Sequence, residues 1–182
     1  MRLDDYTDER NHYANQRNGE PRMVVERGGE ESDPTHGIQR LTEYSCWANE
    51  AWINFIEKVG PGDEFLVKRM SHILRGEDAW FQRMAHAAVE RDVWRILTFD
   101  QMRERLAQHR DVYNTLVRSD LSRVVEYVRF TGERYASPIS DILVHLSHHG
   151  AHHRAQMATH LSAQGVAPIN TDFIQFCLVN RL

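Results

Sequence analysis

The chain has 182 residues, a formal net charge of -4 and a pI near 6.2, enough length for one domain with a substantial core. That charge argues against a broad electrostatic footprint for nucleic acid or an anionic membrane, and a mean hydropathy of -0.58 with no apolar run of spanning length predicts no membrane segment. Two cysteines, Cys46 and Cys177, are too few for a disulfide framework or a thiolate zinc site and are expected to be packed thiols.

Residues 1–33 are polar and rich in Arg, Asp, Glu, Asn and Gly, with Met23, Val24 and Val25 as their one apolar cluster. Such a composition buries little of itself, so it predicts a mobile arm, or one whose Met-Val-Val cluster docks on the body or on a second subunit. The opening MRLDDYTDER lacks the basic start and apolar segment of a secretory signal, and the expected location is the cytoplasm.

The body, residues 34–182, opens on an amphipathic helix marked by Leu41, Tyr44, Ala48, Trp52, Phe55 and Val59 and stopped by Gly60-Pro61-Gly62. Asp63 caps a second helix on which Leu66, Met70, Ile73, Leu74, Trp80, Phe81 and Met84 share one broad face. His72 sits at the margin of that face, with the small residues Gly76 and Ala79 one and two turns on. They leave room beside the imidazole for a close helix or a cavity. Taken alone, a histidine in that position is more often a packed residue than a ligand.

Thr98 and Gln101 form a capping-box pattern that opens a third helix, carried by Met102, Leu106, His109, Tyr113 and Leu116 to about Ser119. His109 reads there as ordinary packing. Between Val124 and Tyr135 the pattern changes to that of a short β ribbon turning at Thr131-Gly132-Glu133.

Six of the eleven histidines fall in the next stretch, Ser137 to Gly165. Ser137 followed by Pro138 predicts a helix start, and Gly165 with Pro168 beyond it predicts the stop. Ile139, Ile142, Leu143, Leu146, Gly150, Met157 and Leu161 draw one apolar stripe. On the helical wheel His153 lies within roughly 40° of the stripe centre, His160 within roughly 60°, His149 about 80° and His145 about 120° away. His148 and His152 point nearly opposite and are expected to be solvated. Imidazoles four residues apart can converge on one ion, which makes His149 and His153 the best pair and His145 and His149 the second. The tail beyond Pro168 is less regular, and its Phe173, Ile174, Phe176, Leu178 and Val179 are expected to close one end of the core.

Four amphipathic segments in one domain predict an all-α four-helix bundle with a short β ribbon before the last long helix. Such a bundle can bring His72 to the His149 and His153 pair. No pair of Glu-x-x-His motifs is present, which argues against a carboxylate-bridged dimetal centre.

Three features carry a further reading: Tyr44-Ser-Cys-Trp-Ala-Asn49, the Ser-His-Ile-Leu segment around His72 with Trp80 downstream, and His149-Gly-Ala-His-His153-Arg154-Ala-Gln156. In order and spacing they resemble the DinB/YfiT-like bacterial superfamily from roughly Ile38 to the C-terminus, and the last is similar to its His-x-x-x-His-Arg-Gly-Gln motif. Ala155 stands where that motif often has glycine. The resemblance implies a bundle whose second and fourth helices supply three histidine ligands, His72, His149 and His153. It also implies a divalent ion (zinc, nickel or iron), a homodimer, and a small-molecule substrate. The implied function is a metal-dependent hydrolase or thiol S-transferase, the latter with a low-molecular-weight thiol as co-substrate. The alternative is a non-catalytic metal-binding bundle that senses or scaffolds. Arg154 and Gln156 are candidates for a catalytic or clamping role, or for a helix-end or subunit-contact role.

Overall fold

The computed structural model describes residues 35–180, so the polar arm expected over residues 1–33 lies outside the described residues. Four long helices, α1 (His36–Val59), α2 (Glu64–Met84), α3 (Phe99–Leu116) and α4 (Ile139–Ala163), are joined by a hairpin of β1 (Val124–Val128) and β2 (Arg134–Pro138) and followed by a short α5 (Phe173–Val179). Helices α1 and α2 each pack against both α3 and α4. No helix among the described residues is long and apolar enough to cross a membrane.

The caps follow from local chemistry. Asp63 Oδ1 accepts from the backbone N–H groups of Phe65 and Leu66, at 3.0 and 3.2 Å. Thr98 and Gln101 form the reciprocal capping box that starts α3. Each satisfies amides that have no partner within the helix. Gly165 takes a φ of +76° just past α4, a conformation open to glycine at no steric cost.

The start of α4 differs from the expectation. Ser137 belongs to β2, and no side chain caps the helix, whose N-cap is Pro138. The first amides are taken by the preceding segment instead: Ile139 N–H donates to the Arg123 carbonyl and Ser140 N–H to that of Leu121. The hairpin is therefore fastened to the helix it precedes. Its register pairs Val124 with Pro138 and Tyr127 with Tyr135, and Gly132 turns it at a φ of +101°.

The predicted stripes of α2, α3 and α4 form the core, with Leu66, Met70, Ile73, Leu74, Met102, Leu106, Ile142, Leu143, Leu146, Met157 and Leu161 buried together. In α1 the expected stripe is joined by Ile53 and Ile56, which it omitted, while its Val59 is exposed. The stripe of α4 is buried along its whole length. Trp52 is buried as well, and Trp80 and Phe81 pack onto the core. One apolar expectation needs correction. The tail is helical, and only its Phe176 is buried, against Tyr44 and Ala48, while Phe173, Ile174, Leu178 and Val179 stay exposed. A helix this short has one inward position per turn, so the other apolar residues point away.

Candidate metal centre

Burial of the α2 and α4 stripes against each other aims the margins of both helices at one spot. There His72, His149 and His153 meet, each offering one ring nitrogen within 4.8 Å of the other two. The ring centroids are 5.1 Å apart for His72 and His149, 4.7 Å for His72 and His153, and 4.6 Å for His149 and His153. Gly76, one turn beyond His72, makes the approach feasible: a Cβ there would lie 3.2 Å from His149 Cε1.

Two of the three rings are held by partners on the nitrogen facing away from the cluster. His72 Nδ1 lies 3.0 Å from the Val93 carbonyl. A carbonyl only accepts, so Nδ1 carries the proton and the neutral ring keeps its Nε2 lone pair. His153 Nδ1 donates to Gln156 Oε1 at 2.9 Å, and the amide of Gln156 donates in turn to His152 Nε2. This leaves His153 Nε2 as an acceptor, 3.2 Å from His149 Nε2. Two nitrogens on a tetrahedral zinc ion are roughly 3.3 Å apart, given bonds of about 2.0 Å.

The same 3.2 Å is also a hydrogen-bond distance, in which His149 Nε2–H would donate to His153. That bond leaves the lone pair of His72 unused, whereas an ion uses all three. The donor set is all imidazole, and it is neutral. Burial, followed by the repulsion of neighbouring rings, pulls His149 down to about 3, and burial pulls His72 down to about 4 despite the Val93 bond. His153 is lowered by burial as well. Neutral imidazoles beside one another are the form that binds a dication.

The surroundings are asymmetric. Trp94 stacks on His72 with centroids 3.6 Å apart and also reaches the edge of His153, closing one side. On the other side a cavity of about 660 Å³ opens onto His72 and His149, between α2, α4 and the hairpin. His145 lines that cavity and is exposed, its ring 5.8 Å from His149 and edge-on to Trp80, so it stands beside the cluster and outside it. His148 is exposed, bonded to the Val144 carbonyl. His160 bonds Asp63 Oδ2 at 2.8 Å at the far end of α4.

Arg154 has a different role from those considered. It is 3% exposed and crosses to α1, donating to Asn49 Oδ1 at 2.7 Å and to the Tyr44 hydroxyl at 3.2 Å. Asn49 donates to Glu77, whose other oxygen bonds His109 Nδ1 at 2.6 Å, and His109 Nε2 bonds Asp78 at 2.7 Å. Asp78 also pairs with Arg105. His109 is thus the hub of a buried ionic chain rather than ordinary packing. Burial alone would lower it, but the bonds to Asp78 and Glu77 outweigh that and push it up to about 9.

Sequence reasoning passed over the segment between α2 and α3, which supplies the Val93 carbonyl and the Trp94 ring. A backbone acceptor leaves no residue signature, although the isolated Trp94 was a visible one. Gln156 was noticed without its function, and its position three residues after His153 was the available signal.

The DinB family model matches residues 32–179. No curated protein matches the chain.

Proposed function

The chain belongs to the DinB family, and from that premise we propose that it is a metal-dependent enzyme, a hydrolase or a thiol S-transferase, with His72, His149 and His153 holding one divalent ion. The observation that carries this reading is the convergence of three neutral imidazoles, two of which, His72 and His149, line an open cavity. Three protein ligands leave a coordination position for water or substrate, the pattern of a reactive site rather than a closed structural one. Zinc, nickel and iron all suit an imidazole donor set. When bound, the ion supplies a nucleophile at neutral pH, by lowering the pKa of a coordinated water or by deprotonating a coordinated thiol.

The protein's own residues supply position. The Val93 carbonyl and Gln156 fix two tautomers, so that ring rotation is removed before any ligand arrives. Trp94 shields one side of His72, and the cavity leaves the other open to a small molecule. That opening favours an enzyme over a bundle that only senses or scaffolds. We also propose a homodimer, with the exposed Ile174, Leu178 and Val179 of α5 as the apolar surface a second copy would cover. Light scattering at micromolar concentration should give twice the chain mass; a monomer mass contradicts it.

The reaction is tested by screening metal-loaded protein against ester and electrophilic substrates, with and without low-molecular-weight thiols, beside His153→Ala. Turnover that needs thiol identifies a transferase and turnover without it a hydrolase, and both should be lost in the variant. Undiminished turnover in metal-free His153→Ala excludes the mechanism. No turnover across a broad panel favours the non-catalytic bundle.

A further inference from the structure

The cavity beside the histidines has a charge pattern of its own. Two arginines, Arg83 of α2 and Arg129 of the hairpin turn, line it, and neither forms an ion pair among the described residues. The Arg83 guanidinium lies 4.8 Å from the Trp80 ring centre and 4.9 Å from that of Phe130. Its Nε is buried and has no hydrogen-bond partner. That Nε is out of a ligand's reach, but the side chain lines the cavity with no carboxylate paired to it among the described residues, and an under-paired guanidinium gains from an acceptor on the rest of its fork. The Arg129 guanidinium lies 5.6 Å over Tyr135, on the same hairpin. Asp141 is the one carboxylate among the cavity's lining residues, and it is exposed.

Aromatic rings make up another part of the wall. Trp80 and Tyr127 meet edge-on at 4.8 Å, and Phe130 and Tyr135 continue the surface. A planar guanidinium fork is matched by a planar carboxylate, and aromatic faces are matched by a flat unsaturated body. We propose that the cavity binds a small carboxylate with a flat unsaturated or aromatic body, its carboxylate on Arg83 and Arg129 and its far end toward His72 and His149. This names the substrate class of the enzyme proposed above. It rests on that reading for what the far end meets, and not for carboxylate binding itself.

Titration by tryptophan fluorescence tests it, because Trp80 forms part of the wall. The probes are phenylacetate and its neutral isostere phenylacetamide, added to metal-loaded and to chelator-treated protein, with metal content measured separately by elemental analysis. Phenylacetate should bind more tightly than the amide in both forms. Arg83→Gln and Arg129→Gln should each weaken phenylacetate by roughly tenfold or more, the scale of a hydrogen bond to a charged group, with metal content and amide affinity unchanged. Arg129 is exposed on the turn, so its variant reports even where loss of Arg83 disturbs the fold. Equal affinity for acid and amide, or unchanged phenylacetate affinity in both variants, overturns the carboxylate subsite and leaves the metal reading intact. Arginine-dependent phenylacetate binding in a protein that takes up no metal keeps the subsite and removes the metal reading.

Discussion

A histidine serves as a ligand when it is neutral, oriented, and free on the nitrogen that faces the ion. His153 meets these conditions through Gln156, whose amide fixes the tautomer from behind. Gln156→Ala should therefore lower metal affinity by roughly 10–100-fold while leaving the fold intact, as loss of a ligand's hydrogen-bond partner does. Competition against a chelator with a metal indicator measures it, and an unchanged affinity would remove Gln156 from the site. Gly76→Ala should act by space alone. The new methyl would lie 3.2 Å from His149 Cε1, and alanine favours the helix by about 1 kcal/mol, so the variant should bind metal less tightly without melting earlier. A lower melting temperature with unchanged metal affinity would contradict that account. The His149 and His153 pair was legible because a spacing of four is a geometric statement about one helix. His72 was not legible alone; the family resemblance supplied it, and Gly76 is its physical counterpart. Val93 left no trace because its backbone, not its side chain, makes the bond.

At the scale of elements, α4 carries two functions on two faces. His149 and His153 turn toward α2, whereas Gly150 and Arg154 turn toward α1, and a Cβ on Gly150 would meet Arg154 Nη1 at 2.8 Å. The glycine thus lets the guanidinium lie back along its own helix and reach Asn49. This seam explains why Tyr44 and Asn49 belong to the same pattern as Arg154: their side chains are its partners. Arg154→Met should destabilise the protein by roughly 3–5 kcal/mol, because it strands buried polar groups tied to Glu77, yet should still permit metal binding in the folded fraction. Urea unfolding followed by circular dichroism checks the first statement; a loss below about 1 kcal/mol would mean the seam is dispensable. The long helices were legible from their stripes and caps. The start of α4 was misread, since Ser137 and Pro138 look like a helix cap while strand pairing with Val125 and Val124 claims them first.

Across the whole molecule, the buried chain of Arg154, Asn49, Glu77, His109, Asp78 and Arg105 ties α1, α2, α3 and α4 together. Its pH response has a definite sign. His109 is raised from 6.5 to about 9 in the fold, so the folded state binds the extra proton between those values. The stability it contributes is complete below about 6.5 and is lost as pH rises through about 9. Thermal melting should fall between pH 7 and 10, and His109→Gln, although less stable at pH 7, should lose much of that slope. An equal slope in both proteins would place the alkaline loss elsewhere. Arg154 and Asn49 were singled out by the family resemblance, but the Glu77, His109 and Asp78 part of the network was not legible in the sequence, where His109 resembles any histidine on a buried helical face. Its meaning depends on two carboxylates 31 and 32 residues away, which only the packing of α3 on α2 brings to it. The cavity has the same origin: α2, α4 and the hairpin each supply part of a wall that no single stretch predicts.

The central claim is that three imidazoles hold one divalent ion. It is tested most directly by elemental analysis of protein purified without a histidine tag or added metal, beside His149→Ala and His145→Ala. The wild type should carry close to one divalent ion per chain, His149→Ala should lose most of it, and His145→Ala should retain it. Full occupancy in His149→Ala, or a folded wild type that takes up no metal even on reconstitution, would contradict the account.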